Sequence, residues 1–181
     1  MFLKGSKAQE EMLCHNSNLY PILNSFKDTY YAKNRSMHCE PLYAERALYT
    51  PDVMFMTPPI NVFADIITCA APNLRPNPMI SVDLNQYAKI ITRRTKFIRN
   101  ILYMHPEADI YILGAWGCGV FRNDARMVAD AFMTAFHPCL NLNNKIIVFA
   151  VPGNDENTEA FYKAVDHYNE VNGIQVKMAV G

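Results

Sequence analysis

Apolar positions recur along the chain in two rhythms. One has the spacing of a helical turn, and the other runs nearly unbroken between prolines, glycines and asparagines. The helical rhythm is clearest over residues 83–103, where Tyr87, Ile90, Ile91, Phe97, Ile98, Ile101 and Leu102 fall near one face. Arg93, Arg94, Lys96 and Arg99 are expected to form its solvated side. Two more helices are predicted over 123–136 and 156–171. Near the start, Met12, Leu13, Leu19 and Leu23 make a partial stripe. It predicts a helix from a Ser6 cap to about residue 24, with Pro21 as a break. Ser6 and Gln9 have the spacing of a capping box, and on local chemistry alone Glu10 and Glu11 are first-turn acids suited to the helix dipole.

The unbroken rhythm predicts strands. A short one spans 53–57, a longer buried one 62–70, and three more lie at 109–115, 145–151 and 174–180. Residues 25–50 are polar and rich in tyrosine without a period, and are read as an irregular connection. AAPNLRPNP is a loop on its prolines. Strands alternating with helices predict an α/β layered domain with a mainly parallel sheet, one domain over residues 1–181.

Half of the residues are hydrophobic and 19% are charged, a balance that supports a folded core and excludes a disordered chain. Lys and Arg together number 17, as do Asp and Glu, so no basic surface invites nucleic acid and no direct DNA binding is expected. An anionic ligand would have to be held by local geometry. The five cysteines (14, 39, 69, 118 and 139) are odd in number and contain no CxxC pair. They are read as reduced thiols in a cytoplasmic protein. The five histidines show neither HxxxH nor HExxH spacing, so no metal site is expected. His137, before Pro138, is read as a cation at a helix end. VFADIITCAA is interrupted by Asp65, and no stretch is apolar for long enough to span a bilayer. The start has no charged region followed by an apolar block, so no signal peptide is expected.

The stretch richest in candidate chemistry is IYILGAWGCGVFRNDARMVADAF. A strand runs into Gly114, Gly117 and Gly119, then into a helix capped by Asn123 or Asp124. Glycines let backbone amides approach a ligand, and a helix start adds donors and partial positive charge, so the pattern suits a phosphate. A tight turn that needs glycine for its backbone angles is the competing reading. The spacing is neither GxGxxG nor a P-loop. Phe121 and Trp116 are candidates for stacking on a base or ribose, or for the core. Arg122 is a candidate phosphate partner or a surface residue. Cys118, a thiol near a helix start, is a candidate nucleophile with no histidine beside it.

GSKAQEEMLCHNSNLY, TCAAPNLRPN and LGAWGCGVFRND, with weaker support from LYTPDVMFM and NTEAFYKAV, together resemble the microbial-type poly(ADP-ribose) glycohydrolase family, a branch of the macrodomains. The resemblance runs in order along nearly the whole chain. It implies a macrodomain-like three-layer α/β/α fold with a mixed, mainly parallel sheet, binding ADP-ribose or poly(ADP-ribose) without a cofactor. It also implies hydrolysis of an O-glycosidic ribose–ribose bond. Carried over residue by residue, Glu11 would be the catalytic acid, Glu10 would help hold the ribose, and Gln9 would complete the triplet. Gly117, Cys118, Gly119, Val120 and Phe121 would cradle the diphosphate and pack against the distal ribose. The family's triple-glycine loop should stand just before the triplet, but the eight preceding residues, MFLKGSKA, do not contain it. The chain is therefore read as N-terminally shortened, or as starting at an internal methionine of a longer protein. Reduced family-type activity is expected if it is shortened. The alternative is a non-catalytic ADP-ribose-binding module or remnant.

Overall fold

The computed structural model describes residues 8–36, 45–75, 83–140, 145–151, 153, 155–172 and 176–179, with the side chains of 139, 140 and 177 excepted. By contacts the chain divides into two compact units, Met1–His38 with Arg46–Ala70, and Cys39–Glu45 with Ala71–Gly181.

In the first unit the apolar stripe near the start forms two short helices rather than one. They are α1 (Gln9–His15) and α2 (Leu19–Ser25). The break falls at residues 16–18, and Pro21 sits in the first turn of α2, where an amide proton is not needed. The cause is competition for hydrogen bonds. The Asn18 amide donates to the Met54 carbonyl at 3.2 Å, and the Met56 amide donates to the Asn16 carbonyl at 3.0 Å. The Ser17 hydroxyl donates to the Leu13 carbonyl at 2.7 Å and accepts from the Leu19 amide at 3.2 Å. These bonds satisfy the backbone that a continuous helix would have used. The N-cap of α1 is Ala8, and the proposed Ser6 cap lies outside the described residues.

The stretch read as irregular is helical over Lys27–Tyr31, a π-helical turn, and over α3 (Ala32–Ser36). Two strands follow, β1 (Ala47–Phe55) and β2 (Val62–Cys69), paired antiparallel from Ala47 opposite Cys69 to Phe55 opposite Val62. β1 begins earlier than the sequence suggests because Pro51 is absorbed into an irregularity between Thr50 and Val53. Asp52 takes the left-handed conformation there, at φ 52°. Its amide donates to Asp65 Oδ1 at 2.9 Å, and the Tyr49 hydroxyl donates to Asp65 Oδ2. β2 was expected to be buried. Its first two residues are exposed instead, with the side chains of Val62 and Phe63 in solvent. Leu19, Leu23 and Val53 form the core of this unit, packed by Leu13, Cys14, Tyr31, Leu48, Phe55 and Ile66.

The second unit carries the predicted alternation. Its elements are α4 (Leu84–Tyr103), β3 (Ile110–Leu113), α5 (Ala125–Leu140), β4 (Ile146–Ala150), α6 (Glu156–Asn172) and β5 (Lys177–Ala179). The strands form a parallel sheet in the order β3-β4-β5. α5 and α6 cover one sheet face through a run of rings. Phe132 meets Trp116, Phe136 and Phe149, Phe149 meets Phe161, and Phe136 meets Tyr111. Centroid separations between 5.6 and 6.2 Å are those of packed aromatic cores.

α4 packs on α5, where Thr95 Oγ1 donates to the Ala131 carbonyl at 3.3 Å and Arg99 to the Ala135 carbonyl at 3.2 Å. Arg94, expected on the solvated side of α4, is fully buried. α5 continues past Phe136 with Pro138 inside its last turn, and His137 Nδ1 meets the Tyr168 hydroxyl of α6. The chain is thus α/β as expected, with a parallel three-stranded sheet and a separate antiparallel pair among the described residues.

Candidate functional site

Gln9, Glu10 and Glu11 form the first turn of α1, where the helix dipole favours acids. Consecutive helical residues diverge by about 100°, and the three side chains separate accordingly. Gln9 is exposed, Glu10 is half-buried, and Glu11 is buried at 6% exposure. Glu10 interacts with the Tyr31 hydroxyl, brought up by the π-helical turn. Burial pushes its carboxyl above the ordinary value, the Tyr31 hydroxyl offsets part of this, and the Glu11 charge adds to it. One turn further on, the Cys14 thiol is pushed up to about 11 by burial, with further contributions from the charges of Glu10 and Glu11. A thiol this reluctant to ionise is no nucleophile.

In the second unit, residues 114–122 make a compact loop between β3 and α5. Three of its amides, and that of Asn123 just beyond it, bond back to loop carbonyls. Trp116 donates to Gly114 at 2.7 Å, Cys118 to Ala115 at 3.0 Å, Arg122 to Gly119 at 3.0 Å, and Asn123 to Gly117 at 3.1 Å. Gly117 has a φ of +76°, and a Cβ there would lie 2.1 Å from Asn123 Nδ2 and 2.5 Å from Ala71 Cβ, so the turn demands glycine. Gly119 differs, since a Cβ there would meet nothing within 4 Å. Among the described residues the amides of Gly119 and Val120 donate to no partner. Val120 is 69% exposed.

The rest of the loop resolves the sequence alternatives. Trp116 is half-buried and packs edge-on against Phe132. Cys118 is buried, donates weakly to the Trp116 carbonyl, and has its thiol pushed up to about 12, chiefly by burial. It is not an activated nucleophile. Phe121 is half-buried and Arg122 exposed, the latter in the left-handed conformation at φ 59°. Asp124, rather than Asn123, caps α5 by accepting the Met127 amide at 2.7 Å.

TCAAPNLRPN contributes its 71–75 portion to this unit, laid along the glycine loop. Besides the Ala71 contact, the Leu74 amide donates to the Phe121 carbonyl at 2.9 Å. Two features escaped the sequence reading. Tyr31 lies in a stretch without an apolar period, and Asn123, a possible cap by position, is 4% exposed with its side-chain amide bonded to the Gly117 and Pro72 carbonyls. Among the described residues, no group of His, Cys, Asp or Glu is arranged to hold a metal, and no helix is long and apolar enough to cross a membrane.

Solved structures match this architecture along most of its length. Poly(ADP-ribose) glycohydrolase from Deinococcus radiodurans in complex with ADP-ribose is 30% identical, with a TM-score of 0.77 over 92% of this chain and 71% of that one. The enzyme from Thermomonospora curvata bound to the inhibitor ADP-HPD is 26% identical, with a TM-score of 0.75 over 89% of this chain and 63% of that one. These matches define the class as a macrodomain-like α/β glycosyl hydrolase fold. The family model for the microbial-type PARG catalytic domain matches residues 1–57. No curated protein matches the chain. The chain belongs to the microbial-type poly(ADP-ribose) glycohydrolase family.

Proposed function

We propose that residues 1–181 act as one glycohydrolase-type domain that binds ADP-ribose and hydrolyses the O-glycosidic ribose–ribose bond of poly(ADP-ribose). The observation that carries this reading is Glu11, buried in the first turn of α1 within a chain of this family. Glu11 is the general acid. It protonates the leaving ribose oxygen while positive charge spreads over an oxocarbenium-like sugar, and then guides the water that completes hydrolysis. Glu10 holds the ribose, and its raised carboxyl retains a proton to higher pH than an ordinary glutamate, which suits it to donating a hydrogen bond. Gln9 contributes from the exposed start of the helix.

Gly117, Cys118, Gly119, Val120 and Phe121 cradle the diphosphate and pack on the distal ribose. Cys118 takes part through its backbone, since its thiol is buried. Gly119 leaves room for an approaching ligand, and the amides of Gly119 and Val120, which donate to no partner among the described residues, suit an anion. Free thiols at Cys14, Cys69 and Cys118 support a cytoplasmic setting, and the balanced charge supports a ligand other than DNA.

The test is release of ADP-ribose from poly(ADP-ribose), with calorimetry for ADP-ribose binding. Glu11→Gln is expected to lower turnover by about 100-fold or more, the lower end of general acid contributions, while retaining ADP-ribose binding. Unchanged turnover in that variant would remove Glu11 from the mechanism. Binding without turnover in the unaltered protein would instead establish an ADP-ribose-binding module.

A further inference from the structure

We propose that Asn123 is the positioning residue of the glycine loop, holding it in the shape that receives a diphosphate without touching the ligand itself. The inference rests on the reading of 117–121 as the diphosphate cradle. Its basis is a buried carboxamide bonded to three separate pieces of chain. Asn123 Nδ2 donates to the Gly117 carbonyl and to the Pro72 carbonyl, each at 2.9 Å. Asn123 Oδ1 accepts from the Tyr87 hydroxyl of α4 at 2.9 Å. Asn123 and Tyr87 are 4% and 1% exposed.

An asparagine amide offers two protons and two lone pairs. Here both protons and one lone pair are used, and the two kinds of partner fix which way the amide points. No other side chain of this size supplies two donors and an acceptor in that plane. Aspartate has the shape but presents oxygen to two carbonyls.

The contact with Gly117 is close as well as polar. The loop backbone rests directly on the carboxamide, which is why a Cβ at 117 would overlap Nδ2. The Gly117 carbonyl also accepts the Asn123 backbone amide, so this turn closes on one residue twice. At its far end the loop is tied by the bond from the Leu74 amide to the Phe121 carbonyl. Gly119 and Val120 lie between these two fixed points, and the placement of their amides is set by where the points lie. Asn123 controls the first point directly. It also controls the second through Pro72, two residues before Leu74. Tyr87 fixes Asn123 in turn. Such a network acts as a unit, and leaving buried members unmatched is costlier than any one bond suggests.

The experiment compares the full chain with Asn123→Asp, Asn123→Ala and Tyr87→Phe. Amide hydrogen exchange of peptides covering 114–122 reports the loop, calorimetry reports ADP-ribose affinity, and steady-state hydrolysis separates KM from kcat. Both Asn123 variants are expected to exchange faster in the loop, with exchange in α6 unchanged. They are expected to bind ADP-ribose about tenfold more weakly, with the change in KM rather than kcat. Tyr87→Phe, which removes only the hydroxyl, is expected to shift both readouts in the same direction by a smaller factor. Loop exchange equal to that of the unaltered protein in folded Asn123→Ala overturns the positioning role. Faster exchange with unaltered ADP-ribose affinity also overturns it, because the loop shape would then be irrelevant to the ligand. Absence of ADP-ribose binding in the unaltered protein overturns the reading of the site itself, a distinct failure.

Discussion

Two adjacent glutamates at a helix start look interchangeable in a sequence, yet the chain treats them differently. Glu11 is enclosed, whereas Glu10 is half-enclosed against Tyr31 with its carboxyl raised chiefly by burial. That raised value has a consequence for stability. Between the ordinary 4.5 and the folded value, the native chain holds a proton that the unfolded chain has released. Stability therefore falls as pH rises through that window, and the full contribution is present only below it. Glu10→Gln removes the effect while keeping an oxygen for Tyr31. The variant is expected to melt at a higher temperature than the unaltered protein at pH 7, with the two curves converging below about pH 4. Calorimetric scans across pH would show this, and a variant that melts lower at pH 7 would contradict it.

At the level of elements, the irregularity in β1 depends on one carboxylate. Asp65 receives the Asp52 amide and the Tyr49 hydroxyl, and so stabilises a left-handed residue beside Pro51. Asp65→Ala is expected to lose about 1 kcal/mol, read as a lower urea midpoint with unchanged slope. Asp65 had registered in the sequence only as the residue that interrupts an apolar run. Its partners lie across a hairpin, and no local pattern names them. The same limit explains the single helix expected near the start, since part of what ends α1 is bonding of Asn16 and Asn18 to Met54 and Met56, more than thirty residues away. By contrast α4, α5, α6 and the parallel strands followed from period alone, because each buries one face along its own length. Arg94 is an instructive exception. Its spacing from Ile91, Thr95 and Ile98 places it on the buried face of α4, and all four are buried. For this residue, position on the helix outweighs charge.

The whole molecule carries no net charge, and this bears on how it would hold a ligand with two phosphates. A field spread over a surface weakens as salt screens it, whereas fixed backbone donors at short range lose little. ADP-ribose affinity is therefore expected to change by less than about threefold between roughly 0.05 and 0.3 M salt. A loss of tenfold or more would point to a cationic cluster instead. Of the candidate site, the sequence showed the residue types and the family resemblance. It did not show that Gly117 is glycine because Asn123 and Ala71 occupy the space a side chain would need.

The two glycines of this loop thereby offer a means of measurement. Gly117 is closed in by its own protein and Gly119 faces open space. Side chains placed at 117 would report on the folding of the turn. A graded series at 119 (alanine, serine, valine, leucine) would work as a feeler gauge. The size at which ADP-ribose is first refused would give the clearance between backbone and ligand, in a protein otherwise left intact.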